Sequence, residues 1–543
     1  MLKGRKFFLF AATLLFFVGC ADRECPADRA AREGILLVGN SADPESLDPA
    51  LATGFSESRI LNALFEGLVC ADTKTLQVRP AAAKSWTVSA DGLKYTFHLD
   101  ERAKWSDGVD VCADDFVFAW RRALRPTVAA EYATLLSVIK NADEIFSGRQ
   151  PDVSKLGVRA LSKRVLEVEL QRPCPYFLSL LYMGIYFPLR EDVLKKFGAD
   201  KFPNAVWTKP QNIVSNGPFK LARWSINDRV CVRANPYYRA KELIKLKGVD
   251  FFPISNLNTE DRAFRTRQLH LTDSICPHRI GAIKKAAPET LRSDKWLGVY
   301  YYIFNTMRKP FDDRRVRMAL SLAIDRDAII DGCLKGGQDP AYSFVPEGCG
   351  GFKRSEGIAG RADVARAREL LAQAGYPGGK GFPKIKITYN VSEQHKPIAE
   401  AIQQMWRKNL GIEAQLYNLS WPAYLAARRA GDFDVARASW VGDFAEPESF
   451  LNVFLKSSAL NHTGWSNEEF DTLVGEASGA ATKSQRLNLL ARADAILASQ
   501  APIMPIYYYS KLYQISPQVK NWNANLLDYH DYKGVYLTPS EDR

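Results

Sequence analysis

Polar and apolar positions follow two different rhythms along this 543-residue chain, one before and one after about residue 300. In the first part, alternation dominates. Tyr95, Phe97 and Leu99 fall on one side of a segment whose other side carries Lys94, Thr96 and His98, which predicts a half-buried strand entered from the turn at Asp91-Gly92. The run Arg164 to Leu170 alternates in the same way before Pro173 and Pro175, and so does Arg229 to Val232. Ile35 to Val38 reads as a short buried strand, preceded by a polar linker (21–34) and followed by the loop NSADPESLDP. A helix is expected from about Ser56 to Glu66, with Ile60, Leu61, Leu64 and Phe65 on one face. Asp114 and Asp115 open another helix, where acidic residues complement the helix dipole.

After about residue 300 strand and helix take turns. Val299 to Asn305 is aromatic enough for a central strand, and the spacing of Val316, Ala319, Leu320, Ala323 and Ile324 predicts a helix behind it. A second helix covers Val364 to Ala374 and stops at Gly375, with Pro377 just beyond. Lys384 to Tyr389 is a strand, and Pro397 to Asn409 a helix ending near Gly411. Such units between about 300 and 510 predict an α/β lobe, whereas the alternating strands of 66–190 predict a separate α+β insertion. The length alone calls for two or three domains.

The first residues follow another logic. Lys3, Arg5 and Lys6 precede an apolar run of twelve, Phe7 to Val18, which is too short to span a bilayer and is flanked like an export signal. It ends in Val18-Gly19-Cys20, which resembles a lipoprotein signal with Cys20 as the acylated residue. The expected layout is therefore a signal peptide at 1–19 and a lipid-anchored linker at 20–34. Loss of three cations with the signal lowers the net charge from +12 to about +9. No basic stripe is interleaved with aromatics, so no nucleic-acid partner is expected, and an anionic membrane surface is the simpler neighbour. Cys25, Cys70, Cys112, Cys174, Cys231, Cys276, Cys333 and Cys349 are widely spaced, with no C-x-x-C and no Cys/His cluster, so no metal site is expected. Whether these eight pair or stay as buried thiols is left open, since 105 pairings are possible.

The densest chemistry lies in FDVARASWVGDFAEP, residues 433–447. It reads as a short buried strand (Phe433, Val435) turning into a polar loop that holds Arg437, Trp440 and Asp443 within a few residues. A cation, a flat aromatic wall and a carboxylate so close together suit a ligand clamp. The alternative is a core tryptophan beside a turn-capping aspartate. Marks of catalysis are missing: there is no G-x-S-x-G and no H-E-x-x-H. GYPGGKG near residue 375 fails the spacing of a phosphate loop, and the six histidines never fall at ligand spacing.

Several stretches together resemble the solute-binding proteins of bacterial oligopeptide ABC importers. They are SLDP at 46–49, LFEGLV at 64–69, YTFHLDERAKWSDG at 95–108, DDFVFAWRRAL at 114–124, GVRALSKRVLEVEL at 157–170 and SNGPFKL at 215–221. YYYIFN at 300–305, KPFDDRRVRMALSLAIDRDAI at 309–329, the 433–447 stretch and PIMPIYYYS at 502–510 follow in order. The resemblance covers about residues 35 to 535. It implies a type II periplasmic binding protein: two α/β lobes joined by two crossing segments, with an inserted α+β domain. The corresponding divisions are 35–66, 193–296 and 511–543 for the first lobe, 67–192 for the insertion and 297–510 for the second lobe.

The resemblance further implies short peptides held as an extended strand between the lobes, delivery to ABC transporter permease subunits, no cofactor, no catalysis and a monomer in the periplasm or on the outer face of the cytoplasmic membrane. Position by position, Asp443 matches the aspartate for the ligand's ammonium, and Trp440 the tryptophan of a side-chain pocket. Arg437, Arg428 and His395 match groups that receive a carboxylate end. Tyr132 matches a tyrosine of the inserted domain at the first ligand residue, and one of Tyr507, Tyr508 and Tyr509, taken as Tyr509, faces the ligand. Two departures stand out: Thr53 where relatives carry a glutamate beside the ammonium, and Gly298 with Val441 where relatives carry a disulfide. A narrower ligand (a dipeptide, a murein peptide, haem or a nickel complex) is the alternative within the family, and a cleft peptidase the alternative outside it.

Overall fold

A computed structural model describes residues 24–354, 362–392, 394–458, 460–480 and 482–539. The expected signal segment and Cys20 lie outside the described residues. Among those described, no helix is long and apolar enough to cross a membrane.

The stretch expected as a linker is partly a helix, Pro26–Glu33. Pro26 opens it, Gly34 closes it in the left-handed region (φ 73°), and Ala27, Ala30 and Ala31 are buried against the first sheet. An apolar face made only of alanines does not stand out in a hydrophobic pattern, which is why the sequence reads as polar there. The first sheet has four strands in the order Ile35–Gly39, Gly248–Phe252, Arg229–Ala234, Phe219–Ser225; the first pair is parallel and the others antiparallel.

A second sheet of four antiparallel strands, in the order Ala83–Val88, Lys94–Leu99, Val165–Glu169, Val158–Ser162, buries Tyr95, Phe97, Leu166 and Val168. Its core is continuous with that of the first sheet. The helix Ala113–Ala123 packs here, and its acidic start is a true cap: the Asp115 carboxylate accepts from the Cys112 N–H at 2.8 Å and from Trp105 Nε1 at 3.0 Å. Arg122 from the same helix makes a bidentate bond to Asp48, at 3.0 and 2.7 Å, with both side chains buried. The aspartate of the SLDP stretch thus pins the loop after the first strand to the inserted unit.

The third sheet has five strands in the order Ala414–Leu419, Ile385–Asn390, Val435–Val441, Leu291–Phe304, Ile503–Gln514. Val435–Val441 occupies the middle, and the aromatic run 299–304, expected as central, is interior but one place over. Both faces of that run are buried: Tyr300, Tyr302 and Phe304 belong to one core, and Val299, Tyr301 and Ile303 to the other. Leu291–Phe304 and Ile503–Gln514 are long and antiparallel, with a break in register between Lys295 and Val299. Beyond that break Thr272 N–H bonds to Gln514 C=O at 2.9 Å and Ser516 N–H to His270 C=O at 2.8 Å, so these two strands are also the bridge to the first sheet.

Candidate functional site

The middle strand does not end where the sequence suggests. Val435 continues as strand to Val441 along Leu291–Phe304, while Ile385–Asn390 pairs with it only at Val435 and Ala436, and the loop starts only at Gly442. The expected polar loop around Arg437 and Trp440 is therefore corrected to strand. Strand periodicity then separates the residues that looked like one clamp. Arg437 pairs with Tyr302 and faces the core of Tyr300 and Tyr507, while Trp440 pairs with Val299 and faces the opposite core. Asp443 lies past the strand end, in the loop.

Arg437 is only 7% exposed. Its guanidinium lies 4.8 Å from the centroid of the Tyr300 ring, Nη2 donates to Tyr509 Oη at 3.3 Å, and Nη1 reaches Asn390 Oδ1 at 3.5 Å. Its Nε has no hydrogen-bond partner, and no carboxylate pairs with it among the described residues. His395, at the start of the helix His395–Leu410, sets Nδ1 3.3 Å from Tyr300 Oη. Burial first, and the nearby Arg437 second, push this imidazole down to about 4, so it is neutral at pH 7. Arg437 is thus a buried cation packed among tyrosines with no described carboxylate beside it. Tyr509 lines the cleft between the first and third sheets, whereas Arg437 and His395 line neither that cleft nor the cavity at Asp443.

Asp443 is the complementary case. Burial raises its carboxyl to about 6, a hydrogen bond from Tyr132 Oη (3.5 Å) opposes that rise, and no cation pairs with it among the described residues. It lines a cavity of about 270 Å³ together with Thr53 and Tyr132. The loop that carries Thr53 thus lines the same cavity as Asp443. The nearest acidic side chain on that segment, Glu57, is turned away to accept from Glu45 N–H at 2.7 Å and Ser56 Oγ at 2.8 Å. A wider cleft of about 850 Å³ adjoins it between the first and third sheets, and Tyr509 lines that space.

Trp440 and Arg428 line neither cavity. Trp440 is partly buried, with Nε1 donating to Ser449 C=O at 2.7 Å. Arg428, on the helix Trp421–Ala430, lies over the Tyr424 ring at 5.6 Å. The structure thus brings Asp443, Tyr132 and Thr53 together at one place and Arg437, His395 and Tyr509 together at another.

Sequence reasoning missed an ion network in the cleft wall: Arg59 Nη2 bonds to Asp273 (2.6 Å) and Asp528 (2.9 Å), and Lys511 also pairs with Asp528. Its members come from three distant stretches of the chain, and each alone reads as a solvated charge. One cysteine and one histidine do meet, Cys276 Sγ lying 3.1 Å from His278 Nδ1. All eight described cysteines are free. Gly298 and Val441 stand directly opposite each other on paired strands. A Cβ on Gly298 would meet Tyr509 Cδ2 at 2.6 Å, so the missing bridge leaves room that the tyrosine ring fills.

Residues 77–462 match the description "Bacterial extracellular solute-binding proteins, family 5 Middle". The chain is 36% identical to the periplasmic oligopeptide-binding protein OppA of Salmonella typhimurium, over 97% of this chain and 98% of that one. Among solved structures it superposes on MppA, a periplasmic murein tripeptide binding protein, in its unliganded open form, with a TM-score of 0.83, 33% identity and coverage of 93% and 98%. It also superposes on Haemophilus influenzae OppA in complex with the peptide RPPGFSPFR, with a TM-score of 0.73, 34% identity and coverage of 93% and 99%. Its first and third sheets bridged by paired strands, with the second sheet inserted, are the type II binding-protein fold of these relatives. The chain belongs to the bacterial extracellular solute-binding proteins of family 5.

Proposed function

We propose that this protein captures short peptides between its lobes and hands them to the permease subunits of an ABC transporter, with no catalysis of its own. The observation that carries this reading is a pair of buried, opposite, uncompensated charges, Asp443 and Arg437, on one strand and the loop that follows it. Four strand steps from Arg437 to Val441 span about 13 Å, the scale of a peptide of a few residues. The Asp443 carboxylate receives the ligand's ammonium, with Tyr132 and Thr53 around it. Arg437, with His395 and Tyr509, receives the far end, a carboxylate or the last carbonyl groups. Such pairs are favourable only when hydrogen-bonded and dry, which closure of the cleft supplies. Oligopeptide binding by the OppA relatives supports the same ligand class.

In this reading residues 35–66, 193–296 and 511–543 form the first lobe, 67–192 the inserted domain and 297–510 the second lobe. Cys20 carries an acyl anchor that holds a monomer at the outer face of the cytoplasmic membrane. The test is native mass spectrometry of protein purified gently from its host. A ladder of bound masses fitting short peptides supports the proposal. An empty protein that ignores added peptides, or a single non-peptide mass, overturns it.

A further inference from the structure

Phe55 is the first residue of the helix Phe55–Leu64, and 51% of its surface is exposed. The helix does not need a ring there, because Ile60, Leu61 and Leu64 carry its buried face. The ring instead meets the Trp296 indole edge-on, with centroids 5.2 Å apart at 61°. Trp296 sits in the irregular part of Leu291–Phe304, where the register between the two bridging strands breaks. Its other neighbour is Tyr509, with centroids 5.9 Å apart, the residue that also binds Arg437. Rings therefore run without interruption from the first lobe to the guanidinium. Phe55 and Trp296 each line both the small cavity that holds Asp443 and the wide cleft. Arg59 and Asp528 are the other residues that line both, so a chain that leaves Asp443 for the wide cleft passes along the wall this pair helps to form.

We propose that the Phe55–Trp296 pair is the selectivity element of the cleft, taking an aromatic side chain from the first or second residue of the bound peptide. The inference rests on the peptide reading above and adds the ligand's side-chain class. The position follows from placement: the pair is in the wall of the ammonium cavity itself, and an extended peptide advances only about 3.3 Å per residue. The side-chain class follows from the chemistry of the wall. Tyr182 and Tyr529, 5.7 Å apart, face the same small cavity, and ring edges and faces are matched best by another ring. The volume of about 270 Å³ has room for one ring beside the ammonium. The charged groups in the same wall, Arg59 and Asp528, already satisfy each other at 2.9 Å and offer nothing to a charged side chain.

The experiment is calorimetric titration of ligand-stripped protein with Phe-Ala-Ala, Ala-Phe-Ala and Ala-Ala-Ala. At least one aromatic peptide is expected to bind about tenfold or more tightly than Ala-Ala-Ala, from burial of the ring and its aromatic contacts. Phe55→Ser, a change at an exposed site, is expected to cut that ratio to about threefold or less, and Trp296→Phe, which keeps a ring, to preserve most of it. Equal affinities for the three peptides, or a ratio that survives Phe55→Ser, overturn the inference while leaving the peptide reading standing. Failure of every peptide to bind overturns both.

Discussion

Replacing Asp443 with asparagine should stabilise the empty protein and cripple the loaded one. The carboxyl titrates near 6 in the folded chain against an ordinary 3.8, because burial disfavours its charged form. The penalty is therefore absent below about pH 4 and complete above about pH 6, where two units correspond to about 3 kcal/mol, reduced by the solvent that still reaches the group. Asparagine keeps the shape and the Tyr132 contact without the charge. Ligand-free Asp443→Asn should thus melt above wild type at pH 7.5 and close to it at pH 4. Peptide affinity should move the other way, by about 2–5 kcal/mol, a loss of roughly thirtyfold to several thousandfold, because the ligand's ammonium then lies buried and unpaired. Differential scanning calorimetry of stripped protein at the two pH values, with titration calorimetry at pH 7.5, reads both quantities. An empty variant that melts below wild type at pH 7.5, or one that keeps its peptide affinity within threefold, refutes the assignment of Asp443 as an unpaired charge waiting for a ligand.

Wild-type affinity should be greatest between about pH 6 and 8, falling by up to about tenfold per unit below that range as Asp443 takes a proton and weakening above it as the peptide ammonium deprotonates; a titration series in pH checks this, and a flat profile counts against it. Amidating the carboxyl end of a peptide that spans the cleft should cost wild type about ten- to a hundredfold, and Arg437→Gln should erase that difference, as measured by competition binding. Asp48→Ala should destabilise the protein by about 3–5 kcal/mol in urea unfolding, because it leaves Arg122 charged and wholly buried. Gly298→Ala should cost about 1–3 kcal/mol by driving a methyl into Tyr509, and pairing it with Tyr509→Ala should recover part of that loss; simple additivity of the two changes would exclude the clash.

The elements themselves were legible because local chemistry decides them. The alternation of Tyr95, Phe97 and Leu99 became a strand with that side buried, and the helix before Gly411 ends on a left-handed glycine (φ 69°) as its composition demands. The cap formed by Asp115 could likewise be read from its place at a helix start. Asp443 reads equally as a clamp carboxylate or a turn cap, and only the fold shows it buried with no paired cation among the described residues.

What the tertiary structure decided is everything that depends on which segments meet. Extension of the middle strand to Val441 rests on its pairing with Leu291–Phe304, and only that extension puts Arg437 and Trp440 on opposite faces. Asp48 looks like a turn residue until Arg122 arrives from 74 positions away, and Arg59 looks solvated until Asp528 arrives from 469 away. Phe55 stands just ahead of the helix expected from about Ser56 and becomes a cleft wall only because Trp296 crosses beside it. A sequence specifies periodicity, caps and the inventory of charges, since these act over a few residues. Pairing, desolvation and the sharing of a cavity depend on contacts between distant segments, and only the folded chain fixes those.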